Sequence, residues 1–414
     1  MKRNILTIGL VFAMSTIFFS CNELLNDSNL QPNQKIANSD FSKDSNQSRS
    51  IIPEDEYIVI YKVETSDDEL NIDIEDIDKS EGIKPEFVYK KAIKGFTARL
   101  SPSALAKLKK NIKVDYIEKN QVMSINAVQT LTVNLWGIDR IDQASLPLTN
   151  LYSYTATGVE VDAYIIDTGI FTNHQEFGGR AVGGYSAISN SSPWLDEQGH
   201  GTHVAGTVGG STYGVAKNTK LIAVKVLGAD GSGTTAGVIA GINWVISQRT
   251  TRPAVANMSL GGGASRALDD AVKKAINAGI VMCVAAGNDR RNASNYSPAR
   301  VSSAITVGAT GATPLTGTNF DRYASYSNFG SIVDIFAPGT SIVSAGNTGT
   351  TTEKTLSGTS MATPHVTGVA VLYLSKNPSH SPATVETALK STSTKNKIAG
   401  LPKGTANNLL FTNH

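Results

Sequence analysis

A parallel, doubly wound α/β sheet, preceded by a small α+β domain, is the fold class that three observations predict. Strand-like runs at 221–228, 254–259 and 280–285 alternate with helical segments, the pattern of βαβ units. Segment 266–278 shows the helical half of that pattern, with Leu268, Ala271, Val272, Ala275 and Ile276 at helical spacing and Gly279 as its stop. The run Val159–Ile166 reads as a further strand that ends at Asp167, where Thr168-Gly169 turns the chain. The 414 residues suffice for more than one domain, and the net charge of +2 points to no nucleic-acid partner. The 37 glycines suit tight turns and close backbone approach around a cleft.

The N-terminus stands outside the fold. Lys2-Arg3 forms a basic start, and Ile5 to Phe19 is an apolar run too short to span a membrane comfortably. It ends at Ser20-Cys21, and polar residues follow at once. This resembles a bacterial lipoprotein signal, residues 1–20, with cleavage before Cys21 and lipid on its thiol. Phe18 and Phe19 depart from the Leu-Ala type of residues that usually precede such a cysteine, so ordinary secretory cleavage stays open. Residues 21–50, rich in Asn, Ser, Asp and Gln, read as a flexible tether. The only other cysteine, Cys283, has apolar strand neighbours and reads as a buried structural thiol.

Residues 51–127 read as the small α+β domain. Tyr57–Val63 alternates and is β-rich, and Lys94–Leu100 is a second strand. Ser101-Pro102 caps a helix through Ala104, Leu105 and Leu108, and strands follow at Val114–Glu118 and Gln121–Ile125.

Three segments in residues 128–414 carry chemistry: Asp167-Thr-Gly, His200-Gly-Thr-His203 and Gly358-Thr-Ser360-Met-Ala-Thr-Pro364. A serine hydroxyl is a poor nucleophile at neutral pH and needs a base within hydrogen-bond reach. An imidazole titrates near neutrality and suits that role, and a carboxylate holds the ring in the required tautomer. Taken singly, Asp-Thr-Gly is a turn and Gly-Thr-Ser a helix start. His200 and Ser360 each open an apolar helix, so a strand end and two helix N-termini converge at the carboxyl edge of the sheet. The positive end of the Ser360 helix favours negative charge at a reacting carbonyl. A zinc reading of His200 and His203 fails on spacing, since the zincin signature needs i, i+4 with an intervening Glu. His203 therefore reads as a packed or hydrogen-bonded helix residue.

These three motifs, in the order Asp, His, Ser, resemble the subtilisin-like serine proteases, most closely their proteinase K branch. The resemblance runs from about Val128 to the C-terminus. It implies a serine endopeptidase acting through an acyl-enzyme, with Asp167, His200 and Ser360 as the triad. Asn288, after the strand Gly279–Gly287, would join the Ser360 backbone N–H as oxyanion donor. Residues 51–127 resemble the family's inhibitory propeptide, an intramolecular partner that assists folding and then blocks the site. Self-cleavage is expected near Ala127-Val128. Gly231, Ser232 and Gly233 would line one side of the peptide cleft and Ser259, Leu260 and Gly261 the other, pairing with an extended substrate. The S1 pocket, between 259–262 and 285–288 and therefore including Ala285, Ala286 and Gly287, holds no charge and implies an apolar or aromatic P1 preference. Thr235 stands where relatives often carry a tyrosine wall for P4. Structural calcium is implied at Asp334, with the carbonyls of Ser302 and Ala304. A second calcium position carries Lys397 instead of a carboxylate. The enzyme is expected to be exported, monomeric and free of any catalytic cofactor. A catalytically dead binding protein on the same scaffold is the rival reading, but all four catalytic positions are intact. An esterase of the α/β-hydrolase type would need Gly-x-Ser-x-Gly and the order Ser, Asp, His.

Overall fold

The computed structural model describes residues 55–124, 128–129, 135–188, 193–311 and 319–412. The signal, the tether and Cys21 lie outside the described residues.

The first domain begins with strand β1 (Glu56–Tyr61), helix α1 (Asp67–Glu81), β2 (Phe87–Tyr89) and β3 (Gly95–Arg99). Helix α2 (Pro102–Lys110), β4 (Val114–Lys119) and β5 (Val122–Ser124) complete it. Four strands form an antiparallel sheet in the order β2-β3-β1-β4. Helix α1 and strand β2 are not legible in the sequence pattern. Only Leu70 and Ile77 of α1 are buried, too sparse a pattern to show a periodicity. The legible signal was its start, a capping box in which Ser66 and Glu69 bond each other's backbone N–H.

The larger domain opens with β6 (Val128–Gln129), α3 (Trp136–Ile141), β7 (Asp162–Asp167), β8 (Ala181–Ser186) and α4 (His200–Gly209). Next come β9 (Lys220–Lys225), β10 (Ser232–Thr234), α5 (Thr235–Ser247), β11 (Ala254–Met258), β12 (Gly262–Gly263), α6 (Arg266–Asn277) and β13 (Ile280–Ala285). The rest comprises β14 (Tyr296–Ser297), β15 (Ile305–Thr310), β16 (Ile335–Pro338), β17 (Ile342–Ala345) and β18 (Glu353–Ser357). Helices α7 (Thr359–Lys376) and α8 (Pro382–Thr392) precede the short β19 (Thr394–Lys395) and β20 (Asn408–Leu409).

The central sheet runs β19-β20-β16-β15-β13-β11-β7-β9-β8 and is parallel except for β19. From β7 the chain crosses to the edge strand β8, returns to β9 beside β7, and then winds outward through β11, β13, β15 and β16 on the other side, a doubly wound path as the sequence predicts. Both faces are covered, which explains why the strands are apolar along their whole length. Ala163, Ile165, Val281 and Cys283 face a core shared with α4 and α7. Tyr164, Ile166, Met282 and Val284 face a second core shared with α5 and α6. Cys283 is the buried thiol that its neighbours implied, and burial pushes it up to about 12.

Strand β1 of the first domain repeats this two-faced logic. Val59 and Tyr61 pack with Leu70, Phe96 and Leu108 in the domain's own core. Ile58 and Ile60 join Tyr89, Ile93 and Met123 in the core of the larger domain, over α5 and α6. Polar contacts complete the seam. Asn120 Oδ1 accepts the Ala236 N–H at the start of α5 (2.9 Å), and Glu118 accepts the Ala267 N–H at the start of α6 (3.2 Å). Asn243 Oδ1 on α5 accepts three successive backbone N–H groups, from Lys90, Lys91 and Ala92.

Two imidazoles are sealed inside the larger domain. His203 Nε2 lies 2.9 Å from the Ile342 carbonyl, and His365 Nδ1 lies 2.8 Å from the Met361 carbonyl. Burial lowers His203 to about 3 and His365 to about 4, from an ordinary 6.5. Both therefore fold neutral, while the unfolded chain takes up their protons below about 6.5. Their contribution to stability is complete above that pH and is lost as pH falls towards the folded values. The melting temperature of the Ser360→Ala chain should drop as pH falls from 6.5 to 4, with a shallower slope in a further His365→Met variant. An unchanged slope would show that His365 contributes nothing to the acid sensitivity.

Candidate active site

Asp167 closes β7, His200 opens α4 and Ser360 lies in the first turn of α7. Asp167 Oδ1 stands 2.7 Å from His200 Nδ1, with both side chains buried. The same oxygen accepts the Thr168 N–H (2.8 Å), which fixes the carboxylate against its own turn. An Nδ1–H bonded to Asp167 leaves the lone pair on Nε2. That atom is buried and has no hydrogen-bond partner among the described residues.

So close an abutment of strand end and helix start needs backbone without side chains. A Cβ on Gly201 would sit 2.2 Å from the Gly169 carbonyl oxygen and 3.2 Å from the Asp167 Cβ. Gly199, just before the helix, has φ +98°, a conformation that favours glycine. Asp196, which no sequence motif singles out, organises this junction. Its buried carboxylate accepts from Thr168 Oγ1 (2.8 Å), the N–H groups of Gln198, Gly199 and Thr202, and Thr202 Oγ1 (2.6 Å). Thr168 Oγ1 in turn accepts the Gly201 N–H (2.8 Å). One carboxylate thereby ties the turn after Asp167 to the helix that bears His200. The only hint in the sequence was an acidic residue just ahead of the Gly-His-Gly-Thr-His run. Lys225, fully buried, donates to the Thr168 carbonyl (2.7 Å) and keeps a cation beside the Asp167 turn.

On the opposite side, the Ser360 hydroxyl donates to the Ser259 carbonyl (3.1 Å), and Ser259 Oγ donates to the Ser360 carbonyl (2.8 Å). Asn257 Nδ2 donates to Ser259 Oγ, while its Oδ1 accepts from Thr367 Oγ1 on α7, both at 2.8 Å. The start of α7 is thus bolted to the end of β11 through buried polar groups. Asn288 follows the turn at Gly287, where φ is +101° and a Cβ would lie 2.4 Å from Asn328 Nδ2. Asn288 Oδ1 accepts both the N–H (2.8 Å) and the hydroxyl (2.9 Å) of Thr359. Its carbonyl end is consumed, so the amide end is the one free to donate. Nδ2 is buried with no partner among the described residues.

The cleft has one strand already laid in it. β5 pairs antiparallel with β10, Ser124 opposite Ser232 and Met123 opposite Gly233. On its other side Gln121 Nε2 donates to the Ala264 carbonyl (3.2 Å). β6 pairs with β18, Val128 opposite Ser357, and β18 runs directly into the turn before Ser360. Only residues 125–127 join the two pairings. Beside Ser360 lies a pocket of about 190 Å³ lined by Leu260–Gly263, Ala285–Gly287, Tyr296 and Ser297. One expectation changes here. Asp289, exposed, reaches the pocket rim, so the site is not free of charge. The Ser259 side chain is buried against Ser360, and Thr235 begins α5 with its N–H on the Gln121 carbonyl (2.7 Å), so it provides no P4 wall, as the sequence implied.

Of the expected calcium ligands, Ser302 is exposed, Ala304 is buried in the approach to β15, and Asp334 sits just ahead of β16. Asp334 Oδ2 accepts the Thr306 N–H (3.0 Å), and Oδ1 meets the Lys390 ammonium (3.0 Å).

Comparison with known proteins agrees with this geometry. Residues 117–407 match the model of the subtilase family, and residues 33–126 match that of the peptidase inhibitor I9 family. The chain is 52% identical over 332 residues to an extracellular serine proteinase of Thermus sp. (strain Rt41A), covering 80% of the chain and 78% of that protein. It is 44% identical over 420 residues to the alkaline serine exoprotease A of Vibrio alginolyticus, covering 98% of the chain and 76% of that protein. Among solved structures, a cold-adapted subtilisin-like serine proteinase superposes with a TM-score of 0.63 at 52% identity, over 67% of this chain and 97% of the other.

The orientation of Asn288 generates a specific expectation. An amide that donates to charge formed during reaction should matter to turnover more than to binding. Asn288→Ala should lower kcat by about 10²–10³-fold with little change in KM, the magnitude measured when the corresponding donor is removed from subtilisin, a relative. Steady-state kinetics on a peptide anilide provide the check. A raised KM at unchanged kcat would contradict the role.

Proposed function

We propose that this chain, which belongs to the subtilase family, uses Ser360, His200, Asp167 and Asn288 to hydrolyse peptide bonds in extended segments of protein substrates. Its family and its inhibitor domain make it a serine endopeptidase produced as a zymogen. In the proposed cycle Ser360 Oγ attacks the scissile carbonyl carbon and passes its proton to His200 Nε2. Asp167 stabilises the imidazolium, and Asn288 Nδ2 with the Ser360 N–H binds the oxyanion. Collapse breaks the C–N bond, Nε2 protonates the leaving amine, and water then releases the acyl group by the same steps.

The Ser360 hydroxyl must first exchange the Ser259 carbonyl for His200 Nε2. A substrate N–H arriving at Ser259 competes for that carbonyl and so favours the exchange. Catalytic hydrogen bonds commonly tighten only with substrate in place. The small pocket beside Ser360, walled by Leu260, Ala285, Ala286 and Tyr296 with Asp289 at its rim, suits apolar and aromatic P1 side chains. A single chain carries every group this scheme uses, so no second subunit is required.

The single observation that carries the zymogen reading is the pair of strand contacts on either side of residues 125–127. β5 occupies the Gly231–Gly233 side of the cleft as a substrate would, and β6 pairs with the strand that leads to Ser360. We infer self-cleavage between Ala127 and Val128, at the high effective concentration that such tethering supplies. It divides the chain into a propeptide, 51–127, and a peptidase, 128–414. Ser360→Ala should accumulate as an uncut proform, whereas the natural chain yields a product beginning near Val128. N-terminal sequencing that finds the purified mutant cut at the same bond would overturn autocatalysis.

Export follows from the signal-like N-terminus and from extracellular relatives, and lipid on Cys21 would hold the proform at a membrane. Among the described residues no helix is long and apolar enough to cross a membrane. Cys21→Ser should move the protein from the membrane to the soluble fraction. Unchanged fractionation, with no lipid mass on the N-terminal peptide, would leave a plain secretory signal.

No catalytic cofactor is implied for this chemistry. Structural calcium is a separate matter, and the side chains at Asp334 do not fit it as they stand. Calcium takes about six to eight oxygens, whereas the Asp334 carboxylate is divided between a backbone N–H and an ammonium.

A further inference from the structure

We infer that the Lys390 ammonium holds the place that the family resemblance assigns to calcium, so that an internal cation locks the Asp334 junction. The junction joins three parts of the sheet edge. Asp334 exchanges backbone and side-chain bonds with Thr306 on β15: its N–H donates to the Thr306 carbonyl and its Oδ2 accepts the Thr306 N–H, both at 3.0 Å. Its carbonyl accepts Asn408 Nδ2 from β20 (2.8 Å). Its remaining oxygen takes Lys390 of α8, which is also paired with Glu386 one turn earlier (2.9 Å). The ammonium is therefore shared between two carboxylates and ties α8 to the sheet.

A dication at Asp334 Oδ1 would either break the Lys390 ion pair or sit against the ammonium that already occupies that oxygen, and each costs Coulomb energy. Lys390 also has an advantage of delivery. It is borne on the helix that it secures, so its occupancy does not depend on metal concentration, whereas a bound ion stabilises only by mass action. Lys397, exposed, stands where the family resemblance places the carboxylate of a second calcium site, which the sequence already marks as lost. Bonds from Lys395 Nζ to Ser393 Oγ (2.8 Å) and Asn408 Oδ1 (2.9 Å) tie the same stretch of chain together by lysine.

The test is calorimetry of the full-length Ser360→Ala chain, which cannot digest itself, in excess calcium and in excess chelator. The quantity read is the part of the calcium-dependent shift in melting temperature that Asp334→Asn abolishes. It should be zero in this parent. Lys390→Ala should melt lower in chelator and regain several degrees in calcium, and adding Asp334→Asn should remove that recovery. A parent whose melting temperature falls in chelator, with the fall abolished by Asp334→Asn, would overturn the proposal. So would a Lys390→Ala chain that calcium cannot rescue. Because the readout is thermal unfolding, neither result depends on the catalytic assignments.

Discussion

The short contact between Asp167 and His200 is the constraint to which the rest of the molecule is fitted. It requires the end of one strand and the start of one helix to meet with almost no space between them. Parallel strands, whose helices all return to the same edge, bring such ends together without special bends. The remaining demand is local: a glycine at 201, a left-handed glycine at 199 and one buried carboxylate, Asp196, to gather the N–H groups that the abutment leaves over. Buried polar groups are costly unless satisfied, and here nearly every one is paired. The exceptions are informative. Nine buried side-chain atoms lack a partner among the described residues, and three of them, His200 Nε2, Asp167 Oδ2 and Asn288 Nδ2, cluster at this one site.

Ser360 is held to a different standard from His200. Its helix start is fixed through Ser259, Asn257 and Thr367, yet its hydroxyl rests on a carbonyl, outside the triad. Rigid placement of the backbone with an easily exchanged side-chain bond separates two needs. The N–H of Ser360 must be aimed in advance as an oxyanion donor, whereas Oγ need reach His200 only with substrate present.

Much of this was legible from residue order. The motifs at Asp167, His200, Asn288 and Ser360 lie within runs whose period already betrays strand or helix, so their meeting at one sheet edge followed from topology. What stayed hidden was side-chain chemistry without a local pattern. Asp196 reads as a loop acid, and nothing nearby marks it as the acceptor for a turn 28 residues earlier. Helix α1 buries too little to declare itself by periodicity. Asp289 lay one residue past the segment taken as the pocket wall. Lys390 is far from Asp334 in sequence and meets it only because α8 folds back on the sheet.

The two-faced packing of β1 has a consequence for timing. Ile58 and Ile60 belong to the core of the peptidase, while Val59 and Tyr61 belong to the core of the domain that leaves it. Hydrolysing one bond near residue 127 alters none of these contacts. Under the proposed self-cleavage, the cut alone would leave the cleft occupied, and activity would begin only when the severed domain lets go. Once detached, that domain presents Ile58, Ile60, Tyr89 and Ile93 to water, a face worth about 1.5–3 kcal/mol for each large side chain left uncovered. A fragment so exposed is poorly suited to survive beside a protease. On the proposed cleavage, the first molecule to escape its own inhibitor would remove those shed by its neighbours, and a slow dissociation would become an avalanche.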